Sequence, residues 1–179
     1  TAIPFLYNNS EDFLKKIDLN PDIGIICIEG ARYDYPKKEF IETIMKVARE
    51  KNIILITDEI TSGWRMTDGG VFKLTGFKPD LAIYGKSLGG GFAISAILGK
   101  EEIMKFASDT FISSTMWTER VGFVAGLNCL KILIREKGWI HLNKIGEEIG
   151  AGWKSLADKH EISRSVTDFK PLITFKLHY

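Results

Sequence analysis

The stretch Leu55-Ile56-Thr57-Asp58-Glu59-Ile60-Thr61-Ser62-Gly63-Trp64-Arg65 carries an apolar, β-branched run into two carboxylates and then breaks at a glycine. A run of that kind, bounded by a turn signal, reads as a strand that ends in polar chemistry. A second stretch repeats the layout. Leu81-Ala82-Ile83-Tyr84, opened by Pro79-Asp80, delivers Lys86 into a turn with Gly85 before it and Gly89, Gly90 and Gly91 after it. In open α/β sheets ligands bind beyond the carboxyl ends of parallel strands, so an acid and an amine at two such ends can face one pocket.

Upstream, Gly24-Ile25-Ile26-Cys27-Ile28-Glu29 is continuously apolar up to its last residue, which suits a strand covered on both faces in a parallel sheet. From Lys38 to Lys51, Phe40, Ile41, Ile44, Met45 and Ala48 recur at helical spacing among lysines and glutamates, as in an amphipathic helix. That helix leads into the strand 53–57, and a strand, helix and strand of these lengths form a right-handed βαβ unit with parallel strands. Before it, Ser10-Glu11-Asp12 offers an N-cap and first-turn acids for a short helix through Phe13, Leu14 and Ile17 that Asn20-Pro21 ends.

Beyond the glycines, Ala93–Leu98 reads as a strand returning from the lysine turn, followed by a helix from Glu101 to about Ala107. Thr110–Trp117 has little periodicity and many hydroxyls, which places it in a loop at a site or an interface. Thr118-Glu119-Arg120 opens a helix to residue 136 through Val121, Val124, Leu127, Leu130 and Ile134. A helix apolar on nearly every side is expected to be buried. Gly138 is its expected end, and Ile145, Ile149, Trp153 and Leu156 give the next helix one apolar stripe. A strand over 172–177 closes the chain.

The 179 residues can bury a proper core. With 24 Lys+Arg against 23 Asp+Glu the formal charge is +1 and no basic tract runs along the chain, so a nucleic-acid partner is not expected. No apolar run reaches membrane-spanning length and no signal-peptide layout opens the sequence; the expectation is a soluble, cytoplasmic protein with no membrane partner. Cys27 and Cys129 lie in apolar runs with no Cys-x-x-Cys spacing and read as core thiols. His141, His160 and His178 are scattered, so no metal site is expected. The chain opens at Thr1 in the strand-like Ala2–Tyr7 and stops inside another strand-like run, which reads as a piece of a longer protein.

The motifs Asp58-Glu59-Ile60-x-x-Gly63-Trp64-Arg65 and Pro79-Asp80-Leu81 with Gly85-Lys86-x-x-Gly89-Gly90-Gly91 resemble those of class III aminotransferases, which use pyridoxal 5'-phosphate. The nearest subgroup is the glutamate-1-semialdehyde aminomutases, and the similarity runs from about Asp22 to about Leu177. The resemblance implies a fold-type I pyridoxal-phosphate-dependent transferase: an α/β fold with a mostly parallel sheet and helices on both faces, plus the start of a C-terminal α+β small domain. Residues 1–137 would be the C-terminal part of the large cofactor-binding domain. Residues 138–179 would be a connecting helix and the beginning of the small domain, with the N-terminal part of the protein absent. It also implies a homodimer acting on a small amino acid or amino-ketone substrate.

On the same resemblance, Lys86 is the lysine that forms the Schiff base with the cofactor. A lysine amine has an ordinary pKa of about 10.4 and needs a site that favours its neutral or imine form. A P-loop reading of Gly85-Lys86-Ser87 fails on spacing, since that motif needs a glycine where Asp80 stands. Asp58 matches the aspartate that pairs with the protonated ring nitrogen, Ile60 the aliphatic residue on the ring face, and Thr115 the threonine that reaches the cofactor phosphate of the neighbouring subunit. Glu59 and Arg65 match the motif but suit a structural ion pair. Two departures stand out: Gly30 follows Glu29 where the family usually has proline, and Trp117-Thr118-Glu119-Arg120 stands in place of Gly-Asn-Pro. The reaction implied is amino-group transfer, as aminotransferase or aminomutase. A decarboxylase or racemase on the same scaffold, or a non-catalytic protein of this fold, is the alternative.

Overall fold

The structure is a computed structural model and describes residues 2–112, 115 and 119–178. Helix α1 (Ser10–Leu19) is capped by Asn9, one residue earlier than expected, whose Oδ1 accepts from the Asp12 amide at 2.9 Å. Strand β1 (Ile25–Glu29) leads into helix α2 (Lys38–Lys51), which has the expected bounds, and then into strand β2 (Ile54–Asp58). After a long turn come the short helix α3 (Phe72–Thr75), strand β3 (Leu81–Tyr84), a single 3-10 turn over Lys86–Gly89 and strand β4 (Ala96–Gly99).

The four strands make one sheet in the order β1-β2-β3-β4. β1, β2 and β3 are parallel, with Glu29 opposite Asp58 and Asp58 opposite Ile83. β4 returns antiparallel to β3, Ala96 opposite Tyr84. Alternation along the strands puts Ile26, Ile28, Leu55, Thr57, Ala82 and Tyr84 on one face, and these are the buried residues. Phe13, Ile17, Phe40, Ile41 and Ile44 of α1 and α2 pack with Ile26, Ile28 and Leu55 of that face.

The opposite face of β1 is not covered among the described residues. Ile25 is 57% exposed and Cys27 is exposed, so neither the two-sided cover read from continuous apolarity nor a core role for Cys27 holds here. Although the residue is exposed, partial desolvation of its sulfur raises the pKa of the Cys27 thiol, with Asp58 and Glu29 adding to the rise.

The run 2–7 is not a strand. It lies across α1 and α2, with Phe5 against Phe13 at 5.3 Å between ring centroids and the Leu6 amide donating to Asp12 Oδ2 at 2.7 Å. Its apolar side chains serve helix packing, and among the described residues no strand pairs with it.

Downstream, helix α4 (Glu101–Met104) runs on into a 3-10 turn to Asp109. The expected helix start at Thr118 and the hydroxyls Ser113 and Ser114 lie outside the described residues, as does Trp117. Helix α5 (Val121–Glu136) packs one line of residues, Gly122, Gly126, Leu130 and Leu133, against Ile94, Leu88 and their neighbours. The remainder is bare: Phe123, Val124, Leu127 and Ile134 are all more than half exposed. The buried helix expected from its composition is half-packed, because the described elements supply one covering face.

Helix α6 (Gly138–Lys159) follows after a single left-handed residue, Lys137, and Gly138 opens it instead of ending α5. Of the bulky stripe read from the sequence only Trp153 packs, its ring 5.0 Å from that of Phe175 between centroids, and small residues make the closest approaches. Gly146, Gly150 and Ala157 turn toward the 3-10 turn Lys170–Leu172 and the hairpin of β5 (Arg164–Val166) and β6 (Phe175–Leu177), while Ile145, Ile149 and Leu156 stay exposed. A Cβ at residue 146 would lie 2.0 Å from the Lys170 carbonyl, so only glycine allows this approach. None of the helices is long and apolar enough to cross a membrane among the described residues.

Candidate functional site

The parallel register sets the site. Glu29, Asp58 and Ile83 lie side by side at the carboxyl ends of three neighbouring strands. Backbone bonds run on past the ladder, from the Gly30 amide to the Asp58 carbonyl (2.9 Å) and from the Glu59 amide to the Ile83 carbonyl (2.8 Å). The three ends are thus held in line where the chains turn away.

Alternation then separates the two adjacent carboxylates. Asp58 falls on the open face with Glu29 and Ile83, is half-buried, and turns Oδ1 back to accept from the Ile60 amide at 2.9 Å. Glu59 falls on the packed face and is fully buried. Its carboxylate accepts from the Ser62 hydroxyl (2.5 Å), the Thr57 hydroxyl (3.3 Å) and the amides of Val71 (3.0 Å) and Phe72 (3.2 Å). Four donors satisfy its lone-pair sites without a cation.

The ion pair expected between Glu59 and Arg65 is not formed. Arg65 Nε donates instead to the Thr61 carbonyl at 2.8 Å, and burial lowers the pKa of the guanidinium. Glu59 instead ties the end of β2 to the turn before α3. Gly63 has a reason in the same corner: its amide donates to the Glu59 carbonyl at 2.8 Å, and a Cβ there would meet that oxygen and the Tyr84 ring, both at 2.8 Å.

Lys86 is exposed and begins the 3-10 turn that follows β3. Its backbone is left-handed, φ 39°, a region that a residue with a Cβ enters only when its surroundings impose it. Its Nζ donates to Thr61 Oγ1 at 2.6 Å. Asp58 and Ile83 are paired, Thr61 and Lys86 each lie three residues farther on, and the two loops meet side chain to side chain. Ile60 lies against the same turn, its Cγ2 3.4 Å from where a Cβ on Gly85 would sit.

Lys86 and Ile60 therefore belong to two touching loops, and Asp58 ends the strand that leads into one of them. Thr115 is exposed in a turn, and no bond joins it to these three among the described residues. Thr61 was missed by the sequence reading, where it filled an unspecified place in the motif; a lone threonine gives no signal of its own. The donor set fits pyridoxal phosphate: an amine able to bond to an aldehyde, a carboxylate suited to a protonated ring nitrogen, and an aliphatic side chain that can lie on a ring.

Comparison with known proteins points the same way. The family model for class-III aminotransferases matches residues 28–171. The 3-aminobutyryl-CoA aminotransferase of Cloacimonas acidaminovorans (strain Evry) is 34% identical over 182 residues, covering 96% of this chain and 44% of that protein. The glutamate-1-semialdehyde 2,1-aminomutase of Nitrosopumilus maritimus (strain SCM1) is 34% identical over 142 residues, covering 75% of this chain and 34% of that protein. Among solved structures, the FumI protein of Sphingopyxis sp. MTA144, in a PLP form, superposes with a TM-score of 0.91 at 23% identity over 98% of this chain and 44% of its own. The chain thus spans less than half the length of these relatives, and the superposition shows that its fold is that of fold-type I transferases.

Proposed function

The chain belongs to the class-III aminotransferases, and from that premise we propose that it forms part of an enzyme that transfers an amino group with pyridoxal 5'-phosphate as cofactor. The observation that carries the reading is the meeting of the loops after β2 and β3, with Lys86 and Asp58 both at the carboxyl ends of these neighbouring parallel strands. The relatives' names divide between a 3-aminobutyryl-CoA aminotransferase and glutamate-1-semialdehyde aminomutases, and both names describe the movement of an amino group, which supports amino transfer on a small-molecule amino substrate here.

When bound, the cofactor supplies an electron sink for the pair released as the Cα–H bond of the substrate breaks. Lys86 would hold the cofactor through Nζ and, once freed by the substrate amine, would carry the proton from the substrate Cα to C4′ of the cofactor, as general base and then general acid. Asp58 would keep a proton on the ring nitrogen, since a carboxylate beside it favours the charged ring. Ile60 would pack on the ring. Thr115 would serve the phosphate of a partner subunit in a homodimer, with residues 1–137 belonging to the large domain and 138–179 opening the small one. A cytoplasmic location is part of this proposal.

The test is to add pyridoxal phosphate to the protein, reduce with borohydride and map the modified peptide. The label is expected on Lys86; a label on another lysine overturns the assignment.

A further inference from the structure

We infer that Thr61 is the positioning residue for the Lys86 amine, parking Nζ at the Asp58 end of β2 whenever no covalent partner holds it. The inference deepens the amino-transfer reading. The contact on which it stands is independent of that reading.

The amine sits at the end of a flexible four-carbon stem on an exposed residue, and an unheld amine of that kind samples many rotamers. Two features remove that freedom. The left-handed backbone at residue 86 fixes where the stem leaves the chain, and the 2.6 Å bond to Thr61 Oγ1 fixes where it ends. The Thr61 carbonyl is itself held by Arg65 Nε at 2.8 Å, so the hydroxyl that receives the amine sits on a tethered residue.

The kind of acceptor matters. A carboxylate in this place would bind the ammonium form far more strongly than the free amine, because it adds a full opposite charge. A hydroxyl is neutral and accepts an N–H from either form. Asp58, the nearby carboxylate in sequence, turns Oδ1 to the Ile60 amide. Holding the lysine with a hydroxyl orders it for attack on an aldehyde without locking on the proton that would block the attack.

The experiment is competitive acylation with acetic anhydride in protein free of added pyridoxal phosphate, read lysine by lysine by mass spectrometry. Lys100, ion-paired to Asp80 at 2.6 Å, is the internal reference. In Thr61→Val, which keeps the branched shape, and in Thr61→Ala, acylation of Lys86 relative to Lys100 is expected to rise at least about twofold, the weight of one modest hydrogen bond. Thr61→Ser should stay at the wild-type ratio. Separately, the rate at which added pyridoxal phosphate forms its visible chromophore should fall in Thr61→Val by about two- to tenfold and return in Thr61→Ser.

An unchanged or lower Lys86 ratio in both Thr61→Val and Thr61→Ala overturns the inference, and so does a rise in Thr61→Ser equal to theirs. A loss of fold would raise every lysine together and leave the ratio to Lys100 near one, which also counts against it. If borohydride fixes pyridoxal phosphate on a different lysine, the amino-transfer assignment fails while the acylation ratio still decides the role of Thr61.

Discussion

Gly30 lies flat against the carboxylate of Glu59: a Cβ on residue 30 would come within 2.6 Å of Oε1 and 2.7 Å of Cδ. The relation joins the end of β1 to the first residue past β2, and it gives the glycine after Glu29 a physical reason. Glu59 cannot move aside cheaply, because four donors hold it and it is fully buried. Gly30→Ala is therefore expected to cost about 1–3 kcal/mol, as overpacking against a fixed neighbour does. Gly24→Ala, where nothing lies within 4 Å, is the control and should change little. Denaturant titration of the two variants checks this; equal midpoints would refute the role given to Glu59 as a fixed wall.

Asp58→Asn separates catalysis from folding. Asparagine keeps an oxygen to accept from the Ile60 amide, so the turn after β2 survives and stability should change by less than about 1 kcal/mol. The charge that holds the ring-nitrogen proton is gone. Cα proton exchange in the loaded enzyme is expected to slow by about 10²–10³-fold, the weight of one preorganised electrostatic partner. Unchanged exchange would remove Asp58 from the catalytic set.

Tyr84 gives a prediction in the alkaline range. Burial, and after it the charge of Glu59, push its phenol from 10.0 up to about 12. In the unfolded chain the phenol loses its proton near pH 10, while the folded chain keeps it to about pH 12. The stability associated with the neutral phenol is thus fully present below pH 10 and is lost as pH rises between the two values. Tyr7 is raised in the same direction, chiefly by burial, so both contribute. Thermal unfolding followed from pH 8 to 12 should show the loss, and Tyr84→Phe should flatten part of it. A Tyr84→Phe profile parallel to the wild type would contradict the assignment.

The elements legible in the sequence were those whose signal is local. The 3.6-residue repeat of α2 and the β-branched runs of β2 and β3 predict their places within a residue, and the two motifs mark two loops that the structure brings into contact. What the sequence could not show depends on partners. Residues 2–7 are continuously apolar, as a strand can be, but meet helices. Trp153 of the bulky stripe of α6 does pack, on Phe175, but the closest approaches fall at Gly146 and Gly150, which a search for bulky apolar residues passes over. Asp58 and Glu59 look alike as letters, and one step of strand parity sends the first to the open face and the second into the core. Thr61 became visible only when β2 and β3 were placed side by side.

The bare side of α5 leads to the last prediction. Phe123 is 65% exposed and Leu127 55%, one helical turn apart, and Val124 and Ile134 are exposed beside them. Ile97 and Leu98 of β4 are more than half exposed as well. Apolar surface gathered in this way favours association over solvation, at about 25 cal/mol for each Å² removed from water. This 179-residue chain is therefore expected to sediment as a species larger than its 20.2 kDa. Because the drive is apolar, the association should strengthen in sulfate and be little affected by sodium chloride at moderate ionic strength. Phe123→Glu together with Leu127→Glu should shift the species toward the monomer without loss of helix content, since neither side chain lies on the packed line of Gly122, Gly126, Leu130 and Leu133. Sedimentation as a monomer by the unmodified chain, at every concentration reached, would show that this face does not drive association.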